Sequence, residues 1–152
     1  ENLRGSPERP MILTPHPGEM ARLTGKTIAE VIQNPVAIAR EFATAHQVIV
    51  VLKGSRSLIA APDGEVYVNP TGNAGMATGG TGDVLTGIVA GLLAQKPGNP
   101  LAATIAAVYL HGIAGDIAAA RLGIRAMIAS DIIAQLGAAI IEVGGNDERF
   151  IR

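Results

Sequence analysis

Fifteen residues, Asn69-Pro70-Thr71-Gly72-Asn73-Ala74-Gly75-Met76-Ala77-Thr78-Gly79-Gly80-Thr81-Gly82-Asp83, hold the densest chemical signal in this chain. The run from Val66 to Gly82 carries no charge, and its glycines remove side chains just before a helical pattern begins at Thr81. A helix start leaves unpaired N–H groups pointing outward and carries a partial positive charge. That geometry binds a phosphate or a developing oxyanion. Asp83 falls in the first turn, beside the anion hole that the N–H groups of Gly80, Thr81 and Gly82 would form. A carboxylate there can take a proton from a hydroxyl while the N–H groups stabilise a transferring phosphate. An acidic residue in a first turn is also an ordinary dipole partner, and glycines make turns wherever they fall. The stretch is not a Walker loop, because no Gly-Lys-Ser/Thr closes it, and it lacks the third glycine of the Rossmann fingerprint.

His16 sits between two prolines at a predicted helix start. A neutral imidazole held by so stiff a backbone is a good hydrogen-bonding group for a substrate, although a proline-rich surface turn would look the same. No second histidine or carboxylate stands at metal-ligand spacing from it, which argues against zinc and leaves any metal ligands open. Lys53 follows an apolar strand pattern, and ligands of open α/β sheets bind beyond the carboxyl ends of strands. Lys53, Ser55 and Ser57 can therefore hold a phosphate or ribose, or they form a solvated turn. His111 lies in a long apolar helical pattern and reads as a packed, hydrogen-bonded core histidine. His46 ends a helical stretch, where its charge suits the dipole.

The elements that would position these groups follow from periodicity. Met11–Leu13 reads as a short strand running into Thr14-Pro15-His16-Pro17-Gly18-Glu19. Thr14 and His16 each precede a proline and are pushed toward extended backbone. Pro17 suits the first helical position and Glu19 the third. A helix through Leu23 follows, a second spans Thr27 to about Asn34, and Pro35 opens a third with Val36, Ile38, Ala39, Phe42 and Ala43 on its apolar face. Val48–Leu52 is a β-branched run of the kind buried on both faces of a sheet. Ser57–Ala61 and Glu65–Asn69 flank Pro62-Asp63-Gly64 and predict a β-hairpin. Helices follow from Thr81, from about Pro100 to Ala120, and from a Ser130-Asp131 cap to Gly144-Gly145. Gly87 and Gly91, four apart, would let a neighbouring backbone come close. Helix leading into buried strand is the α/β pattern, here in one domain with no repeat or linker.

Composition narrows the function classes. The 152 residues are 48% hydrophobic and 16% charged, with 12 basic against 13 acidic residues. That balance excludes disorder and offers no electrostatic footprint for nucleic acid or an anionic membrane. With aromatics at 3%, base-stacking platforms are also unexpected, and zero cysteines exclude a disulfide scaffold. Glu1–Leu13 is charged and broken by prolines, unlike a secretory signal. The uncharged run Pro97–Gly115 opens with Pro-Gly-Asn-Pro and contains His111, whereas a spanning helix needs roughly 20 mostly apolar residues, so a soluble, by default cytoplasmic, protein is expected. A first residue of Glu rather than Met suggests numbering that begins inside a longer or processed chain.

Leu13-Thr14-Pro15-His16-Pro17-Gly18-Glu19, Leu52-Lys53-Gly54 and the whole Asn69–Leu85 stretch, in this order and spacing, resemble the ADP- or ATP-dependent NAD(P)H-hydrate dehydratases of the ribokinase-like superfamily. The third motif is long and specific, the other two are weak alone, and the resemblance runs over nearly the whole chain. It implies a three-layer αβα fold and repair of the S form of hydrated NADH and NADPH. Such enzymes phosphorylate the extra ring hydroxyl with a nucleotide, and elimination of phosphate restores the cofactor. By motif position His16 and Asp83 would contact the hydrated cofactor, Asp83 as the catalytic residue. Lys53, Gly54, Ser55, Arg56, Ser57 and Gly82 would hold ADP or ATP, with Mg2+ accompanying it. Ser57 stands where the family pattern has threonine, which keeps the hydroxyl.

Family domains are much longer, so the resemblance implies that the chain corresponds to their C-terminal half, either as a piece of a longer gene product or as a truncated relative without the N-terminal half. A half sheet exposes edges and apolar faces, and the resemblance also implies homo-oligomers. Two other readings share part of the pattern. A ribokinase-like kinase of a small alcohol uses the same Gly-Gly-Thr-Gly-Asp logic but has no need of His16 in its motif. A non-catalytic nucleotide-binding or assembly module would need neither.

Overall fold

A computed structural model describes residues 3–6 and 9–144. In chain order the elements are β1 (Ile12–Leu13), α1 (Pro17–Thr24), α2 (Ile28–Gln33), α3 (Pro35–His46), β2 (Ile49–Leu52), β3 (Leu58–Ala60), β4 (Val66–Val68), α4 (Thr81–Gln95), α5 (Pro100–Leu122) and α6 (Ala129–Gly144). A single 3-10 turn, Ala74–Met76, interrupts the glycine-rich loop. The four strands lie in the order β1-β2-β3-β4. β1 and β2 are parallel, with Ile12 opposite Ile49, and α1–α3 make the crossover between them. β2–β3 and β3–β4 are antiparallel, so the expected hairpin is present and the sheet is mixed.

Residue alternation along β2 and β3 divides the interior into two cores. Val48, Val50, Leu52, Leu58 and Ala60 pack toward α1–α3, against Met20, Val31, Ile38, Ala39 and Phe42. Ile49, Val51 and Ile59 point the other way, against Leu85, Val89, Ala107 and Val108 of α4 and α5. Helices thus cover both faces, the three-layer αβα arrangement. Each such aliphatic side chain contributes about 1.5–3 kcal/mol on burial. A third cluster, Ala114, Ala118, Met127, Ile132 and Ala139, joins α5 to α6.

Several expectations need correction. Val36 is 39% exposed rather than on the buried face of α3, because Ile38, Ala39, Phe42 and Ala43 occupy that face. α6 begins at Ala129, and the Asp131 carboxylate accepts the Ile128 N–H at 2.7 Å. Gly145 lies outside the described residues. Among the described residues no backbone approaches Gly87 or Gly91: a Cβ on either would meet nothing within 4 Å. The close approaches lie on α5, where a Cβ on Gly112 would overlap Thr71 and one on Gly115 would overlap Met76.

α5 also runs further than the uncharged stretch suggests, through Asp116 to Leu122. It is long and apolar enough, by length and composition, to cross a membrane. In this fold it packs between α4 and α6, burying Ala103, Ala107, Val108, His111, Ala114 and Ala118.

Candidate functional site

The carboxyl ends of β1 and β2 meet where the Lys53 N–H donates to the Pro15 carbonyl at 2.8 Å. Pro15 leads directly into α1, whose N-cap is His16. His16 Nδ1 accepts the N–H groups of Gly18 (3.0 Å) and Glu19 (3.2 Å), so a neutral ring carries its proton on Nε2. The Glu19 carboxylate closes the capping box by accepting the His16 N–H at 2.7 Å. A Cβ on Gly18 would stand 3.0 Å from His16 Cε1, so glycine lets the imidazole lie over the first turn. Outside this capping, half of the His16 side chain faces solvent.

Glu19 also reaches across the sheet end. Its Oε2 lies 3.7 Å from Lys53 Nζ, and its Oε1 lies 3.5 Å from His16 Nε2. The His16 backbone N–H chiefly holds the Glu19 carboxyl below its ordinary value; burial opposes it, and the charge of Lys53 adds to the lowering. Lys53 Nζ in turn lies 3.3 Å from where a Cβ on Gly82 would stand. One ammonium therefore spans the starts of α1 and α4.

At the start of α4, Gly80 occupies the N-cap with φ 88°, a left-handed conformation suited to glycine, and no side chain caps the helix. The Asp83 and Val84 N–H groups bond to the Gly80 carbonyl at 3.1 Å. The Thr81 N–H reaches the Thr78 carbonyl only at 3.5 Å, and those of Gly80 and Gly82 have no partner among the described residues. Asp83 is exposed, and its carboxylate makes no hydrogen bond or ion pair among the described residues. It stands at one end of an apolar groove of about 560 Å³ walled by Ile88, Leu92, Leu110, Ile133 and Ile140, into which Gly87 and Gly91 open.

The loop before α4 is fastened to α5. Thr71 Oγ1 donates to the Tyr109 carbonyl at 3.0 Å, directly over Gly112. Asp116 accepts the Gly72 N–H and the Asn73 side-chain amide, both at 2.9 Å. Asn73 Nδ2 also donates to the Gly115 carbonyl, and its Oδ1 accepts the Gly75 N–H, each at 3.0 Å. Thr81 Oγ1 lies 2.8 Å from the Met76 carbonyl and 2.9 Å from that of Thr78, tying the helix start back to the loop.

Lys53, Gly82, Asp83 and His16 thus surround one end of the sheet. Gly54, Ser55 and Arg56 lie on the exposed β2–β3 turn, and their side chains make no hydrogen bond among the described residues. Ser57 joins the turn to the glycine-rich loop through its carbonyl, which accepts the Asn69 N–H at 2.9 Å. His111 is buried in α5, and its Nε2 has no hydrogen-bond partner among the described residues. Burial pushes its imidazole below the ordinary value, with the Thr81 backbone partly opposing. His46 is structural: Nδ1 lies 2.7 Å from the Leu3 carbonyl, and the ring stacks on Phe42. Glu19, Asn73 and Asp116 are the residues that reading the sequence left without a role at the site. Only Glu19 had a local signal, its capping-box spacing from His16.

The three-layer αβα fold is of the ribokinase-like kind, with an uncapped helix start facing a lysine at the sheet end. The Carb_kinase family, described as NAD(P)H-hydrate dehydratase, is matched over residues 1–137, and the chain belongs to that family. It is 57% identical over 126 residues to the bifunctional NAD(P)H-hydrate repair enzyme Nnr of Moorella thermoacetica, covering 82% of this chain and 23% of that protein. It is 46% identical over 110 residues to the ADP-dependent (S)-NAD(P)H-hydrate dehydratase of Bacillus subtilis, covering 72% of this chain and 40% of the relative. The fold superposes on the Bacillus subtilis ADP/ATP-dependent NAD(P)H-hydrate dehydratase, co-crystallized with ATP/Mg2+, with a TM-score of 0.86 at 39% identity over 92% of this chain and 51% of that one. A ribokinase-like superfamily protein of Enterococcus faecalis superposes with a TM-score of 0.72 at 38% identity, covering 88% of this chain and 45% of that one. The chain spans between about a quarter and a half of the length of these relatives.

Proposed function

We propose that residues 1–152 act as one ribokinase-like unit in the repair of nicotinamide nucleotides. The reaction is nucleotide-dependent dehydration of the S form of hydrated NADH or NADPH, a carbon–oxygen lyase activity. The observation that carries this reading is Lys53, whose ammonium lies between Glu19 at the start of α1 and Gly82 at the start of α4. A cation there, beside free N–H groups and an unpaired carboxylate, suits transfer of a phosphoryl group to a hydroxyl. Such transfer needs positioning and charge stabilisation more than covalent chemistry.

In this mechanism ADP or ATP lies along residues 53–57 and Gly82, and the hydrated nicotinamide lies toward His16 and Asp83. Asp83 takes the proton of the ring hydroxyl as its oxygen attacks the terminal phosphorus, and the bond to the departing nucleotide breaks. The N–H groups of Gly80, Thr81 and Gly82 stabilise the charge on the transferring oxygens. Loss of the new phosphate, together with a proton from the adjacent ring carbon, restores the dihydronicotinamide. His16 Nε2 is the proton-bearing nitrogen of the neutral ring in its cap, half-exposed and 3.5 Å from Glu19 Oε1, and in this reading it donates to the substrate.

The described residues gather no group of three carboxylates or histidines, so they do not build a protein cage for Mg2+. Magnesium is often held mainly by nucleotide phosphates and water. Homo-oligomerisation belongs to the same proposal and is supported by the exposed Ile133, Ile140 and Ile141 on α6.

The test is incubation with hydrated NADH and ADP, following return of absorbance at the reduced-nicotinamide band, with light scattering to give the assembly mass. Recovery of absorbance that requires nucleotide supports the dehydratase. Phosphorylation of a small alcohol instead would identify a kinase, and nucleotide binding without turnover would identify a binding module.

A further inference from the structure

We infer that Asp116 is a positioning residue, which sets the aim of the anion hole at the start of α4 from the far side of the glycine-rich loop. For its effect on catalysis, this inference rests on the function proposed above. Among the described residues Asp116 makes no hydrogen bond or ion pair with the sheet end or with α4. Its two carboxylate oxygens accept one donor each, the Gly72 N–H and the Asn73 amide, both at 2.9 Å. Asn73 is then fully committed. Its second amide proton goes to the Gly115 carbonyl, and its oxygen accepts from Gly75.

The Asn73 carbonyl receives the Met76 N–H at 3.1 Å, which closes the 3-10 turn. The Thr81 hydroxyl is shared between the carbonyls of Met76 at 2.8 Å and Thr78 at 2.9 Å, and Thr81 is both buried and a member of the proposed anion hole. Four residues therefore connect α5 to the hole, Asp116 to Asn73 to Met76 to Thr81, with a hydrogen bond at each step. The glycines beneath the loop press it against α5, since a Cβ on Gly112 or Gly115 would overlap it. Packing fixes the distance from loop to helix, and the carboxylate fixes the register.

The chemistry requires an acceptor-only group at position 116. An ionised carboxylate offers acceptors on both oxygens, whereas an amide must turn its NH2 toward one of two donors. Asp116→Asn therefore leaves the Gly72 N–H or the Asn73 amide facing another donor, and the loop shifts to relieve it. The Lys53 side of the site has no link to α5 through this chain of bonds and stays in place. Charge-stabilising donors matter most where charge develops, so turnover suffers more than nucleotide binding.

The experiment compares wild type, Asp116→Asn, Asn73→Ala and the double variant Asn73→Ala/Asp116→Asn. An exchange of the two residues would not serve, because a carboxylate at 73 would face the Gly115 carbonyl that the Asn73 amide now bonds. Turnover of hydrated NADH is measured per titratable ADP site, so a smaller folded fraction does not count as lost catalysis. The backbone amide resonances of Gly80, Thr81 and Gly82 are followed in parallel. Asp116→Asn is expected to lower kcat by about tenfold or more while ADP affinity changes by less than about threefold, and to shift those amides. Because both residues act through one chain of bonds, the double variant is expected to lose no more than about threefold in kcat beyond the larger single loss. Unmoved amides, or losses that multiply in the double variant, would overturn the inference. If wild type shows no turnover while the amides shift in Asp116→Asn, the proposed function fails and the positioning role stands.

Discussion

The Lys53 ammonium and the Glu19 carboxylate stand 3.7 Å apart, although 34 positions separate them in the chain. Glu19 is pinned by the N-cap of α1 and Lys53 by its backbone bond to Pro15, so each side chain leaves a fixed point. Glu19 balances the ammonium until an anionic ligand arrives. Lys53→Ala should therefore shrink the rise in melting temperature that millimolar ADP or ATP produces in wild type, because only native-state binding gives that rise. Thermal unfolding with and without nucleotide measures it. An undiminished shift would remove Lys53 from the nucleotide site.

Asp83→Asn preserves the shape of the first turn of α4 but cannot accept a hydroxyl proton. Loss of a general base lowers rates by about 10²–10⁴-fold. Turnover of hydrated NADH should fall by that order, while ADP affinity, measured by titration calorimetry, stays within a few-fold. Near-normal turnover would leave Asp83 as a helix-start residue only.

Glycine substitutions separate the tight faces from the open ones. Gly112→Ala would drive a methyl group into Thr71, and such overpacking costs about 1–3 kcal/mol. Gly91→Ala meets nothing within 4 Å and should stabilise α4 by up to about 1 kcal/mol through helix propensity. Denaturant midpoints of the two variants should move in opposite directions.

His111 and Glu19 predict where acid destabilises the fold. Both have folded-state values below their ordinary ones, His111 because burial disfavours the cation and Glu19 chiefly because the His16 N–H bonds its carboxylate. The sign is the same for each: the unfolded chain binds the proton first, so stability falls as pH falls. The His111 loss begins near its ordinary value of 6.5, and that of Glu19 begins only near 4.5. Urea unfolding of His111→Gln should show a flatter dependence between about pH 6.5 and 5 than wild type, whatever its absolute stability.

Local pattern carried most of the architecture. The continuous apolar run at Val48–Leu52 marked the doubly buried strand, Pro62-Asp63-Gly64 marked the hairpin, and His16 with Glu19 marked the start of α1. The glycine-rich approach to Asp83 was legible for the same reason, since a helix start announces itself within a few residues. Asn73 and Asp116 were not legible, because they lie 43 positions apart and nothing in either neighbourhood refers to the other. Gly87 and Gly91 misled for a related reason. Spacing shows that a backbone could approach, while only the fold shows that the loop lies over Gly112 and Gly115 instead.

The sheet that separates the two cores also separates the two halves of the site. His16 and Glu19 belong to the α1–α3 layer, whereas Gly80–Asp83 belongs to the α4–α5 layer, and the buried strand β2 is the wall they share. A layer with its own apolar cluster can open as a cooperative unit at less than the global free energy. Opening of the α1–α3 side would carry off His16 and Glu19 while leaving the turn at Gly80 folded on α5. Amide hydrogen exchange would then report two protection classes meeting along β2, with the start of α1 exchanging independently of the start of α4.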